Sequence, residues 1–196
     1  MTAFLYLTSM KIILTIYSLL LVASAGAQTD VTLFDRHIDA QGAYIVEEFV
    51  SLLEIPNVAY DLPNINKNAQ YIMGELAERG VSTQLLEHPG VPPIVYGYLA
   101  SKKATRTLAF YVHYDGQPVD KTRWKHDPWT PKMYDKSLAE GGVEIPFPKE
   151  GEKIDPSSRI YARSAGDDKG PIIALLAAID AMQAEGIEPT SNFVFF

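Results

Sequence analysis

Cysteine is absent from this chain of 196 residues. Its absence excludes disulfide frameworks, thiolate metal sites and cysteine nucleophiles together, so any metal must be held by histidine and carboxylates. Basic runs are missing too. The formal net charge is −7, and without clustered Lys and Arg to neutralise phosphates, a nucleic-acid partner is not expected. No Gly-rich fingerprint follows an apolar run, which argues against a nucleotide-binding α/β protein. The apolar stretch Ile12–Ala23 is short for a membrane span.

That stretch has another layout. Lys11 stands just before it and Ala25-Gly26-Ala27 just after, the order of a secretory signal with a small-residue cleavage site after Ala27. Residues 1–27 are therefore expected to be a signal peptide, and the mature chain to begin at Gln28 without a stable membrane span. The destination is then extracellular or periplasmic. Either Met1 or Met10 serves as the start. The competing reading is an uncleaved amphipathic anchor; a lipid anchor on cysteine is excluded.

Further along, Ile45, Val46, Phe49, Val50, Leu52 and Leu53 recur at helical spacing, with Glu47 and Glu48 on the other face. This predicts a helix over 43–53 that Pro56 stops. Asn64 or Asn66 would cap a second helix whose stripe is Ala69, Ile72, Met73, Leu76 and Ala77, closed by Gly80. Three strand-like runs follow at 81–87, 94–99 and 107–112, the last a buried strand, with a short link at 100–106 that suits a hairpin or meander between the last two. From Gly116 to Ser158 the chain reads as irregular, either a substrate lid or a surface insertion. A short strand at 159–162, a turn at 164–170, a buried helix led by Pro171 and closed by Gly186, and an apolar strand at 192–196 complete the order. Because the chain stops inside that strand, a longer polypeptide is expected.

The chemistry concentrates at two places. Leu108–Asp120 reads LAFYVHYDGQPVD. His113 and Asp115 are two apart on an extended segment, so both side chains point to one side. Strand carboxyl ends are where open α/β sheets bind ligands. One ring nitrogen of such a histidine can take a metal while the other donates its hydrogen to the carboxylate, which fixes the tautomer. The second place is Asp167-Asp168-Lys169-Gly170. A phosphate cradle would use the helix N-terminus, but two aspartates repel phosphate. A calcium loop would need an alternating acid pattern that is missing. The third reading makes Asp167 a carboxylate ligand for the ion that His113 binds.

Together YVHYDGQPVD, the Trp124–Pro131 pattern W-x-x-x-P-W-x-P and RIYARSAGDDKGP resemble the zinc-dependent metallopeptidase family of carnosinase, glutamate carboxypeptidase, aminoacylase and the acetylornithine and succinyl-diaminopimelate deacylases. The likeness runs in order from about Ala43 to Phe196. It implies an α/β fold, a mixed β-sheet flanked by helices, with 28–196 the N-terminal part of the catalytic domain of a dinuclear zinc exopeptidase. It implies that His113 binds one zinc, that Asp115 orients it in the catalytic site, and that Asp167 bridges two Zn2+ ions, with a cis peptide joining Asp167 to Asp168. A lid or dimerisation domain, and with it a homodimer, would lie outside this chain. So would the paired glutamates that follow a strand like NFVFF, one of them the general base. Where the family commonly has Tyr-Gly-Arg-Gly, this chain has Tyr161-Ala162-Arg163-Ser164, and its 132–158 loop is longer than in compact members.

The activity so implied is hydrolysis of a peptide or N-acyl amino acid amide bond by a zinc-bridged water, with small peptides or N-acyl amino acids as substrates. The chain by itself would be inactive. The rival from another class is a secreted binding domain that keeps the fold without the chemistry.

Overall fold

The computed structural model describes residues 32–196; the proposed signal peptide lies outside the described residues. Helix α1 spans Thr32–Leu53, eleven residues longer at its start than the apolar periodicity indicates. The extra residues, from Thr32 to Gly42, contain no proline, and once a helix is nucleated each added residue brings another hydrogen bond. Helix α2 spans Leu62–Glu78. Its cap is Asp61 rather than Asn64 or Asn66: the Asp61 carboxylate accepts from the Asn64 backbone N–H at 3.4 Å and from its side-chain amide at 2.7 Å. Pro63 then sits in the first turn, where no N–H is needed. Gly80 takes the left-handed conformation after the helix, with φ +76°. Ala69, Ile72 and Leu76 are buried as the stripe requires, while Ala77 is exposed.

The main sheet is mixed and built from β1 (Ser82–Leu86), β2 (Ile94–Leu99), β3 (Arg106–Phe110) and a late strand, β7 (Ser191–Phe195), in the order β1-β2-β7-β3. β1 and β2 form the antiparallel hairpin. β2 and β3 do not pair, although only a short link joins them. β7 enters between them, antiparallel to β2 and parallel to β3. Its inner residues explain the choice: Phe195 stacks on Phe110 with centroids 5.5 Å apart. Gly97 makes room, since a Cβ there would stand 3.3 Å from the Phe195 ring. β3 is left at the edge of the sheet, and its Leu108 is 41% exposed, so it is not the buried strand that its composition indicates.

Residues 116–158 are not wholly irregular. β4 (Lys132–Tyr134) pairs antiparallel with β5 (Glu144–Ile145) and with β6 (Arg159–Tyr161) in a second, three-stranded sheet. Met133 and Tyr134 are both buried, and Tyr134 meets Tyr161 edge-on at 5.4 Å. These large side chains give the region a small core of its own. Helix α3 (Gly170–Ala184) follows β6 and a tight turn, with Ile172, Ile173, Leu176 and Ile179 buried against α1, α2 and the sheet. Leu33–Phe196 form one compact unit. No helix among the described residues is long and apolar enough to cross a membrane.

Candidate metal centre

His113 lies three residues beyond β3, where the chain is still held to the end of β7. The Phe196 N–H donates to Phe110 O at 3.0 Å and the Val112 N–H donates to Phe196 O at 3.1 Å. The imidazole is then gripped from one side. Its Nδ1 lies 3.1 Å from the Asp115 carbonyl oxygen and 3.3 Å from Asp115 Oδ1. These two acceptors call for the hydrogen on Nδ1, which frees Nε2 as a lone-pair donor. Nε2 faces the other motif, 3.0 Å from Asp167 Oδ1. Burial disfavours the imidazolium, but the Asp115 carbonyl and the carboxylates of Asp115, Asp168 and Asp167 outweigh it, so the His113 pKa lies above its ordinary value.

The turn that delivers Asp167 is unusual in its backbone. Ser164 takes a left-handed φ of 63°, and the segment Ala165–Lys169 is kinked rather than helical, with Asp167 at φ −143°, ψ 86° and Asp168 at φ −135°, ψ 23°. The peptide between Asp167 and Asp168 is cis, as the family likeness implies. Gly170 lets the turn close: a Cβ there would meet Ala165 O at 2.6 Å. The Asp167 side chain is left 81% exposed and projects toward His113.

Three further residues secure this arrangement, and none of them carried a role in the sequence motifs. Asn57 is fully buried and donates through Nδ2 to Tyr114 O at 2.7 Å and to Ser164 Oγ at 3.0 Å. Ser164 is therefore both the hinge of the aspartate turn and an acceptor for Asn57. Lys169 is also fully buried, with Nζ donating to Leu52 O and Ile55 O at 2.7 Å each. Burial pulls the Lys169 pKa down to about 7, while the two carbonyl acceptors favour the ammonium. An Asn in a Pro-containing loop and a Lys beside two aspartates both read as surface chemistry, so only the packing betrays them.

The donor set suits a borderline divalent ion: one imidazole nitrogen, a lone-pair donor once deprotonated, and one carboxylate oxygen, 3.0 Å apart. That spacing lets both reach a single ion at the ordinary zinc bond lengths of about 2.0–2.2 Å. Among the described residues, no group of three or more His, Asp or Glu side chains is arranged to hold a metal. The candidate centre therefore brings together two side chains of the donor type, His113 and Asp167, with Asp115 against the far side of the ring.

The fold, a mixed sheet flanked by helices with ligand loops at its end, is that of metallopeptidase catalytic domains. No protein-family model matches the chain. It is 30% identical to the Cys-Gly metallodipeptidase of Candida albicans over 178 residues, which is 83% of this chain and 32% of that protein. It is 29% identical to the Beta-Ala-His dipeptidase of Homo sapiens over 94 residues, covering 48% of this chain and 14% of that one. Among solved structures, the dipeptidase Dug1p of Saccharomyces cerevisiae superposes with a TM-score of 0.65 at 21% identity, over 85% of this chain and 34% of that one. The homologues of this chain are thus the Cys-Gly metallodipeptidases and carnosinases, whose N-terminal part it matches. It spans about a third of the length of the first of these relatives.

Proposed function

We propose that this chain carries part of a zinc centre in a metallopeptidase or amidohydrolase that cleaves a peptide or N-acyl amino acid amide bond, of dipeptidase or carboxypeptidase type. The observation that carries the reading is the 3.0 Å approach of His113 Nε2 to Asp167 Oδ1, with Asp115 behind the ring. His113 would hold one zinc, and Asp167, with two carboxylate oxygens, would bridge to a second. When bound, the pair of ions lowers the pKa of a water and polarises the scissile carbonyl.

The residues of this chain do the rest of the positioning. Asp115 keeps the hydrogen on Nδ1, so the ring presents a lone pair and not a proton at Nε2. The same contact stops the ring from turning. Asp167 stands exposed at the mouth of the site, where small peptides or N-acyl amino acids have access. We assign the general base to a glutamate beyond Phe196, the role that the family likeness implies.

The test is His113→Ala in the protein at its natural length, with zinc content and hydrolysis of dipeptides such as Cys-Gly and β-Ala-His measured side by side. The expected outcome is loss of one zinc equivalent and of hydrolysis by two or more orders of magnitude. Full zinc content and unchanged turnover in the variant would overturn the assignment. Unchanged peptide binding with no metal in either protein would instead favour a non-catalytic binding domain.

A further inference from the structure

The two ligand-bearing segments are far apart in sequence and come from different parts of the fold. His113 and Asp115 lie in the loop that leaves β3; Asp167 lies in the turn that leads into α3. The structure joins them through a third segment, the linker between α1 and α2.

That linker grips both sides. On the histidine loop, the Asn57 amide donates to the carbonyl of Tyr114, the residue between His113 and Asp115. One step on, the Gly116 N–H donates to Asn57 O at 2.7 Å, and the Ala59 N–H donates to Gly116 O at 3.0 Å. On the aspartate turn, the same Asn57 amide reaches Ser164 Oγ, and Lys169 donates to Leu52 O and Ile55 O. The linker is itself tied down, because Asn68 on α2 donates to Pro56 O at 2.9 Å. The packing at the junction leaves no slack: a Cβ on Gly116 would stand 2.6 Å from Ser164 Oγ and 3.0 Å from Asn57 Oδ1.

We propose that Asn57 is a positioning residue for the metal centre, its one buried amide bonding the backbone between His113 and Asp115 and the hinge of the turn that carries Asp167, and so setting the distance between the two ligands. The inference rests on the reading of His113 and Asp167 as metal ligands. Each Asn57 hydrogen bond alone is ordinary. Their shared origin on one planar amide is what matters, because a shift of either loop breaks a bond that the other needs. Partners behind metal ligands commonly cost 10–100-fold in metal affinity when removed, and a clamp one step further back is placed at about tenfold.

The experiment is zinc titration of the metal-stripped protein at its natural length, with thermal melting of the metal-free form as the measure of folding. Four proteins are compared: wild type, Asn57→Ala, Ser164→Gly and the double variant, with His113→Ala as control. Ser164→Gly removes the hydroxyl while suiting the left-handed backbone. A folded Asn57→Ala with zinc affinity about tenfold weaker, Ser164→Gly a few-fold weaker, and a double variant no weaker than Asn57→Ala alone support the proposal. A folded Asn57→Ala that binds zinc as wild type does, beside a His113→Ala that has lost it, overturns the clamp and leaves the metal reading standing. If His113→Ala keeps its zinc, the metal reading itself fails. If Asn57→Ala does not fold, Ser164→Gly decides: unchanged zinc affinity in that variant overturns the proposal.

Discussion

At the scale of single residues, the candidate centre is packed against residues that make no hydrogen bond to its donor atoms. Gly116 shows this in its simplest form. It follows His113-x-Asp115, and the sequence marks it only as a turn residue. In the structure it is the point of closest approach between the histidine loop, Asn57 and Ser164. Gly116→Ala should therefore destabilise the protein by about 1–3 kcal/mol, the usual effect of overpacking a tight contact, measured by urea unfolding of the metal-free form. A variant as stable as wild type would mean that the junction yields freely. His113, Asp115 and Asp167 were singled out by their motifs together with the family resemblance, and the structure brings the three side chains together. Asn57, Ser164 and Lys169 were not, because an amide, a hydroxyl or an amine becomes a brace only when something distant in sequence is packed against it.

At the scale of elements, the three helices are joined by a buried ionic cluster that periodicity misassigned. Glu48 falls on the polar side of α1 by spacing, yet it is 5% exposed. Its Oε1 accepts from Arg79 Nη2 at 2.6 Å, and Arg79 at the end of α2 also binds Glu75 and Asp180, the latter on α3. Glu48 Oε2 is buried without a hydrogen-bond partner. Burial, which outweighs the Arg79 guanidinium, and the neighbouring Glu75 push the Glu48 pKa from 4.5 up to about 7. A carboxyl whose pKa rises on folding holds its proton more tightly in the native state. Its contribution to stability is complete below pH 4.5 and is lost as pH rises through about 7. Glu48→Gln keeps an acceptor for Arg79 and removes the titration. Between pH 4.5 and pH 8 its stability relative to wild type should therefore rise by about 1–3 kcal/mol, read from urea midpoints at the two values. A constant difference between the two proteins across that range would show that Glu48 stays ionised.

At the scale of the whole molecule, the chain builds a mixed sheet, its helices and the two loops of the candidate centre, and it brings together two candidate donors where a catalytic zinc ordinarily has three protein ligands and a water. The 196-residue chain, expressed as it stands, should bind zinc only weakly and hydrolyse no dipeptide, as checked by calorimetric titration and a ninhydrin or coupled assay. Turnover at the level of a dipeptidase would show that these residues suffice. The amino-acid sequence by itself pointed to the fold class, through motifs that resemble a known family, and to the two motifs that the structure brings together, because such motifs act within a few residues. It did not determine that β7 would part β2 from β3, that Glu48 would lie among the helices, or that an asparagine from a third segment would hold both ligand loops. Those were decided by tertiary structure, since each depends on which surfaces meet after the chain has closed, and hydrogen bonds across more than fifty residues of sequence leave no periodicity to read.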